Sequence, residues 1–238
     1  MQPLVFTLAR IENLMHQVSF DPAGMKGKII TNTTTVRKEA LDETLAVFYD
    51  TINSGLAVSP MIKVIEGKGR IKIKTACSLT LCAVMLKHGI PVHPKGGGLV
   101  EVVEREPTRF TDMLMYWATT VDPIEVLTAQ GLMNITGMMR TGNGRILGNL
   151  HEAPMLARDK IEDVLEALAQ AGFAGVLELG QPNMNVLGVS VERDHVGLAL
   201  VGGTNLMAAA KECQIDVMHE SISDLTDISE LKHIEELL

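Results

Sequence analysis

Aromatic residues are scarce in this 238-residue chain: they make up 3% of it, and Trp117 is the single tryptophan. A core therefore has to be built from Leu, Ile, Val, Ala and Met, and the 14 methionines are accounted for as adaptable core filler. Basic charge is also short, with 21 Lys and Arg against 29 Asp and Glu, a net charge of −8. Together these shortages exclude the basic, aromatic footprint of a surface that grips nucleic acid by itself. The acidic excess is strongest over 211–238, where eight acids face Lys211 and Lys232, as on a solvated face.

Cysteine is limited to Cys77, Cys82 and Cys213, with no CxxC pair and one thiol left over. That pattern fits reduced thiols in a cytoplasm and not a secreted disulfide frame. The longest apolar runs, such as Val196–Val201, fall far short of the roughly 18 residues a membrane span needs, and Met1–Phe20 lacks the basic start and apolar middle of a signal peptide. A soluble, cytoplasmic chain without membrane contact is expected. The seven histidines form no HxxxH or HExxH pair and join no cysteine at zinc spacing, so no metal is predicted. GxGxxG after a strand, GxxxxGK[ST] and GxSxG are missing too, so no cofactor and no catalytic machinery are announced.

What is present is a duplication. Gly27-Lys28-Ile29-Ile30-Thr31-Asn32 returns as Gly144-Arg145-Ile146-Leu147-Gly148-Asn149, and the same spacing of 117 carries Ala40 onto Ala157, Asp42 onto Asp159 and Gly55 onto Gly172. Further on, Leu81, Ala83, Ile90 and Val92 fall on Leu206, Ala208, Ile215 and Val217 at a spacing of 125, so the later copy has gained eight residues. Two units of about 100 residues each fit the length. The boundaries expected are a first repeat over 1–117, a helical connector over 118–132 and a second repeat over 133–238.

Each copy reads as hairpin, helix, hairpin, helix, strand. The opening hairpins are Leu14–Phe20 with Lys28–Thr34, and Met133–Arg140 with Arg145–Leu150 around Thr141-Gly142-Asn143-Gly144. Leu41, Leu45, Phe48 and Ile52, and Ile161, Val164, Leu165 and Leu168, give each following helix one apolar face, and Gly55 or Gly172 stops it. Strands follow at Met61–Ile65, Arg70–Thr75, Val176–Leu179 and Val196–Val201. The extra residues lie in Gly180–Asp194. Second helices run from about Ser78 and Thr204, with last strands at Ile90–Val92 and Ile215–Met218. The fold class predicted is α+β: two tandem βαββαβ repeats of the ferredoxin-like, split βαβ kind, each preceded by a hairpin strand, with antiparallel sheets and helices on one face. Phe110–Gly131 reads as helical, with Asp122-Pro123 as its start signal.

The candidate chemistry sits where a strand hands over to a helix, at Thr75-Ala76-Cys77-Ser78 and again at Leu200-Val201-Gly202-Gly203. Free N–H groups at a helix start favour a carboxylate or phosphate, and paired glycines allow close approach of a ligand. The plainer alternative is an ordinary turn capped by Ser78 and Asn205. Lys95-Gly96-Gly97-Gly98 could form an anion-holding backbone nest. Arg70, Lys72 and Lys74 alternate onto one strand face, which reads as solvated. Cys77 at a helix start has the placement of a nucleophile, but no histidine partner is identifiable.

The run Thr141-Gly142-Asn143-Gly144-Arg145-Ile146-Leu147-Gly148-Asn149, with Pro154, Ala157-Arg158-Asp159, Val201-Gly202-Gly203-Thr204-Asn205 and Ala76-Cys77-Ser78, resembles the regulatory domain of the archaeal nitrogen-regulation repressors of the NrpR type. The resemblance extends over nearly the whole chain, through Gly55-Leu56-Ala57-Val58-Ser59 and His88-Gly89-Ile90-Pro91-Val92. It implies a domain that binds the effector 2-oxoglutarate and so weakens repression of nitrogen-assimilation genes. Such repressors act as homodimers and usually carry an N-terminal winged helix; Met1–Phe20 is too short for one. DNA contact is then expected only through a separate segment or partner. The residues expected at the effector are Cys77, Ser78, Lys95, Gly96, Gly97, Arg140, Gly202, Gly203, Thr204 and Asn205, with Arg145 as a further nearby cation. Which helix start binds, and how many effectors, stays open. A rival reading is an enzyme acting on a small carboxylate through Cys77, and a third is a purely structural interaction module.

Overall fold

The computed structural model describes residues 7–238. In chain order the elements are α1 (Thr7–Gln17), β1 (Lys28–Arg37), α2 (Leu41–Asn53), β2 (Met61–Glu66), β3 (Arg70–Ala76), α3 (Leu79–Lys87), β4 (His93–Val103), β5 (Glu106–Met115), α4 (Pro123–Gln130), α5 (Ile135–Thr141), β6 (Gly144–Pro154), α6 (Arg158–Gln170), β7 (Val176–Leu179), β8 (His195–Val201), α7 (Asn205–Glu212), β9 (Met218–Asp227) and β10 (Lys232–His233). They build two five-stranded antiparallel sheets, ordered β10-β2-β3-β1-β9 and β5-β4-β6-β8-β7. The α+β class and the βαββαβ order of the repeats are as the sequence predicts.

The repeats are not closed on themselves. β4, from the first copy, pairs with β6 of the second, and β9, from the second, pairs with β1 of the first. Each sheet thus has the ferredoxin-like order of fourth, first, third and second strand, with the fourth supplied by the other copy. The preceding helix travels with it. α7 packs on α2, and Leu206 and Ala210 join Val36, Phe48, Ile71 and Ile73 in one buried cluster. α3 packs on α6 above the other sheet. The polypeptide therefore crosses from one half of the molecule to the other at two places, Ala76–Leu79 and Val201–Asn205.

Four expectations need correction. Leu14–Phe20 is not a strand: α1 runs to Gln17 with Ile11 and Met15 buried, and Val18 is buried just beyond it. α3 explains this, because Leu79 to Met85 are all buried and need cover on the side away from α6; α1 supplies it. Each such apolar burial contributes roughly 2 kcal/mol, more than the fractions of a kcal/mol by which strand and helix propensities differ. Met133–Arg140 is likewise helical. Asn134 Oδ1 accepts from the Gly137 amide at 3.1 Å, and the Glu212 carboxylate accepts from the Ile135 and Thr136 amides at 2.8 Å each, so α5 is capped partly from α7. Gly142, at φ 77°, then turns the helix into β6, and the Asn-Gly signal marks a helix stop instead of a hairpin.

The short strands expected at Ile90–Val92 and Ile215–Met218 begin later and run longer, as β4 from His93 and β9 from Met218. Phe110–Gly131 divides into the end of β5 and the helix α4, whose start is the predicted one: Asp122 Oδ1 accepts from the Ile124 amide at 2.9 Å and Pro123 is the first helical residue.

Candidate functional site

The two crossings meet. A Cβ on Gly203 would lie 3.0 Å from Cys77 Cα and 3.1 Å from the Ala76 carbonyl oxygen, so only glycine lets these segments touch. Gly202 is equally constrained, since its Cβ would fall 2.7 Å from Leu147 Cβ. Both segments are tied down in the same way. The Cys77 amide donates to the Ile30 carbonyl at 2.9 Å and the Gly202 amide to the Leu147 carbonyl at 2.7 Å, a pair of contacts related by the sequence repeat.

Asparagines on the first strand of each repeat then reach across. Asn32 Nδ2 donates to the Gly203 carbonyl at 3.0 Å, while its Oδ1 accepts from the Ile222 amide at 2.9 Å. Asn149 Nδ2 donates to Ser78 Oγ at 2.7 Å, and its Oδ1 accepts from Tyr116 OH at 3.2 Å. Each copy thereby holds the other's strand-to-helix junction. Between them lies a cavity of about 20 Å³, walled by Asn32, Cys77, Ser78, Tyr116, Asn149 and Thr204, with Asp122 and Ser221 at its side. That is room for one water molecule.

Two kinds of donor belong to the residues of its wall. Among the described residues, no hydrogen bond is made by the Ser78, Gly203 or Thr204 amides. Thr204 Oγ1 is buried without a partner, a desolvation cost of about 1–3 kcal/mol if left so. Ser78 does not cap α3, because its hydroxyl receives Asn149 instead. Asn205 does not cap α7 either: Oδ1 accepts from the Leu147 amide at 2.9 Å, and Nδ2 donates to the Leu147 and Leu56 carbonyls. Asn205 is a structural clamp, already fully engaged.

The sequence-derived candidates thus separate. Cys77, Ser78, Gly203 and Thr204 line the cavity, and Gly202 braces its floor. Gly96 and Gly97 form no nest; they are mid-strand in β4, paired with Met115 and Leu114, and Pro123 and Ile124 of α4 pack directly on Gly97. Lys95 is bound to Glu152 in a largely buried ion pair beside Trp117, His93 and His195, at a different pocket. Arg140 is exposed on α5, and Arg145 lies beside Asn134 and Asn143 in a third depression. No Lys, Arg or His lines the cavity among the described residues.

Burial dominates the local electrostatics. The Cys77 thiol is pushed up to about 12 by desolvation, which disarms it as a nucleophile at neutral pH. Tyr116 is raised well above its ordinary value, first by burial and then by the charge of Asp122. Asp122 itself is raised above the ordinary carboxylate range, first by burial and then by Glu125, against the lowering effect of its hydrogen bond from Ile124. Sequence reasoning found Asp122 only as a helix cap, and Asn32, Tyr116 and Asn149 not at all. The one available signal was the equivalence of Asn32 and Asn149 in the repeat.

Residues 4–233 match the family of NrpR regulatory domains NRD1 and 2. The chain belongs to this family. It is 29% identical over 237 residues to the global nitrogen regulator NrpRI of Methanosarcina mazei, covering 96% of this chain and 73% of that protein. It is 30% identical over 230 residues to the global nitrogen regulator NrpR of Methanocaldococcus jannaschii, covering 97% of this chain and 40% of the relative. A solved nitrogen repressor-like protein from Methanococcus jannaschii superposes with a TM-score of 0.85 at 30% identity, covering 98% of this chain and all of that one. NrpR relatives are named as regulators, so the NrpR regulatory domain is not an enzyme. No helix among the described residues is long and apolar enough to cross a membrane.

Proposed function

We propose that this NrpR-type regulatory domain senses 2-oxoglutarate at the crossing of its two repeats, and that the bound effector loosens repression exerted at DNA by a separate winged-helix segment or a partner. The observation that carries this reading is the meeting of unsatisfied donors at one point: the Ser78, Gly203 and Thr204 amides and the orphaned Thr204 hydroxyl, at the starts of α3 and α7. Helix starts of opposite repeats add their partial positive charge there, which suits an anionic ligand even without a lysine or arginine in the wall.

A cavity the size of one water does not admit a five-carbon dicarboxylate. The ligand therefore has to favour an opened arrangement, in which the two crossings part and the halves they link shift relative to one another. That requirement supplies the regulatory output, because a ligand changes an equilibrium only through its different affinity for the two states. Assembly into a homodimer would pass the shift between subunits.

Isothermal titration with 2-oxoglutarate, with succinate and glutamate as controls, tests the proposal. Saturable heat for 2-oxoglutarate that is lost in Gly203→Val is the expected result. Heatless mixing at several pH values would overturn it.

A further inference from the structure

The wall of the cavity contains one carboxyl group and no cation, the opposite of what an anion site ordinarily offers. Asp122 is placed there by α4, held in position through the Ile124 amide at 2.9 Å. The charged and titratable groups acting on it are few. Arg10 of α1 exerts a weak attraction, but its guanidinium is spent on the Ile222 carbonyl at 2.8 Å. Glu125, one turn along α4, repels it, and the Ser221 hydroxyl of β9, which donates to Glu125 at 3.3 Å, also lies close enough to Asp122 to lower it. Cys77 at the start of α3 and Tyr116 after β5 stay neutral, since burial raises both.

A carboxylate ligand entering this space faces a fixed acid. Two ionised carboxylates at hydrogen-bond distance in a buried site cannot both keep their charge, and one of them takes up a proton. Resting on the effector reading above, we propose that Asp122 recognises a carboxylate of the effector through a shared proton: the ligand arrives as its anion, a proton from solvent goes to Asp122, and the resulting acid donates a hydrogen bond to the ligand. Asp122 is then a recognition residue for carboxylates, and the helix-start amides and Thr204 supply the remaining donors. Burial, which lifts the Asp122 carboxyl, prepares it for this step.

The same geometry ranks ligands. An ionised Asp122 would instead welcome an ammonium group, so glutamate would be preferred to 2-oxoglutarate, and its binding would strengthen as pH rises. Proton sharing predicts the reverse order and the reverse sign.

The deciding experiment is titration calorimetry of the whole chain with 2-oxoglutarate and with glutamate, from about pH 5 to about pH 8, in two buffers of different ionisation heat. Expected are uptake of up to one proton per effector and a Kd that rises about tenfold per pH unit between the free and liganded pKa of Asp122. Asp122→Asn keeps a helix-capping oxygen and so should fold; it should bind 2-oxoglutarate with no proton uptake from this site and a flattened pH profile. Binding of 2-oxoglutarate without proton uptake, or a variant that keeps the wild-type slope, overturns the proton-sharing inference and leaves the effector reading standing. A preference for glutamate that grows with pH overturns the inference and its ligand together, and heatless mixing with both ligands removes the effector reading itself.

Discussion

Thr80 and Asn205 do the same job in the two repeats. Thr80 Oγ1 accepts from the Ile30 amide and donates to the Ile30 carbonyl, at 3.2 Å each. Asn205 does this for Leu147 with two atoms, Oδ1 at 2.9 Å and Nδ2 at 3.2 Å. Ile30 and Leu147 are equivalent at the 117-residue spacing, and Thr80 and Asn205 at 125. A hydroxyl that both gives and receives is thus interchangeable with a carboxamide, provided it sits in the first turn of the crossing helix. Through these contacts the start of each exchanged helix is fastened to the first strand of its own repeat.

Asn205→Ala should therefore be costly. It strands the buried Leu147 amide and takes the Asn205 donor from the Leu56 carbonyl, each worth about 1–3 kcal/mol when left unpaired, whereas the Leu147 carbonyl keeps the Gly202 amide. Asn205→Thr, imitating Thr80, should recover a large part of that loss. Urea unfolding of the two variants checks this; equal midpoints would show that the clamp contributes nothing.

Gly203→Ala tests the contact between the crossings. Its methyl would press on Asn32 Nδ2 at 2.8 Å and on backbone at 3.0 Å, and overpacking of this kind costs about 1–3 kcal/mol. Gly55→Ala is the useful contrast. Nothing lies within 4 Å of its Cβ, and only its φ of 76° opposes the change. The measurement is thermal unfolding of both, with Gly203→Ala also weakening any effector binding and Gly55→Ala leaving it intact.

The order of elements was legible because local patterns dictate it. Periods of 3.6 at Leu41–Ile52 and of 2 at Arg70–Lys74, and the Asp122-Pro123 cap, need no distant partner to be read. The exchange of α3-β4 for α7-β9 was not, since a helix and strand of given amphipathicity suit either sheet. Gly96 and Gly97 misled for a related reason. A glycine run signals a loop locally, yet here it is mid-strand, with Gly96 and Gly98 close against β5 and Gly97 under Pro123 and Ile124, contacts that depend on β5 and α4 folding back over β4. Cys77, Ser78 and Gly203 were found from the strand-to-helix rule alone. Asp122 and Tyr116 entered the site from sequence positions about forty residues away, with no local mark of their role.

Thiol labelling reports whether the crossing opens. Burial pushes Cys77 up to about 12 and Cys82 higher still, whereas Cys213 is exposed. Alkylation of the native chain at about pH 8 should modify Cys213 first and leave the other two nearly untouched. Adding 2-oxoglutarate should change the rate at Cys77 and not at Cys82, which lies a turn farther along α3. Equal labelling of all three thiols in the folded chain would contradict the closed cavity.

His151 supplies an acid-sensitive element away from the site. It is fully buried in β6, opposite Pro94 and Leu198, and neither ring nitrogen has a partner. Its repeat equivalent, Thr34, is buried with an unpartnered hydroxyl as well. Burial lowers the imidazole from 6.5 to about 4, so the folded chain keeps it neutral where the unfolded chain protonates it. Because the unfolded state then binds the extra proton, stability from this group is complete above 6.5 and falls as pH drops from 6.5 towards about 4. The amount is about 3 kcal/mol across that window. His151→Leu removes the titration and the two orphaned nitrogens while keeping an apolar side chain in the core. Denaturant midpoints at about pH 7 and about pH 5 should show the wild type losing more stability on acidification than the variant. Equal losses would mean that His151 is hydrated or paired in solution.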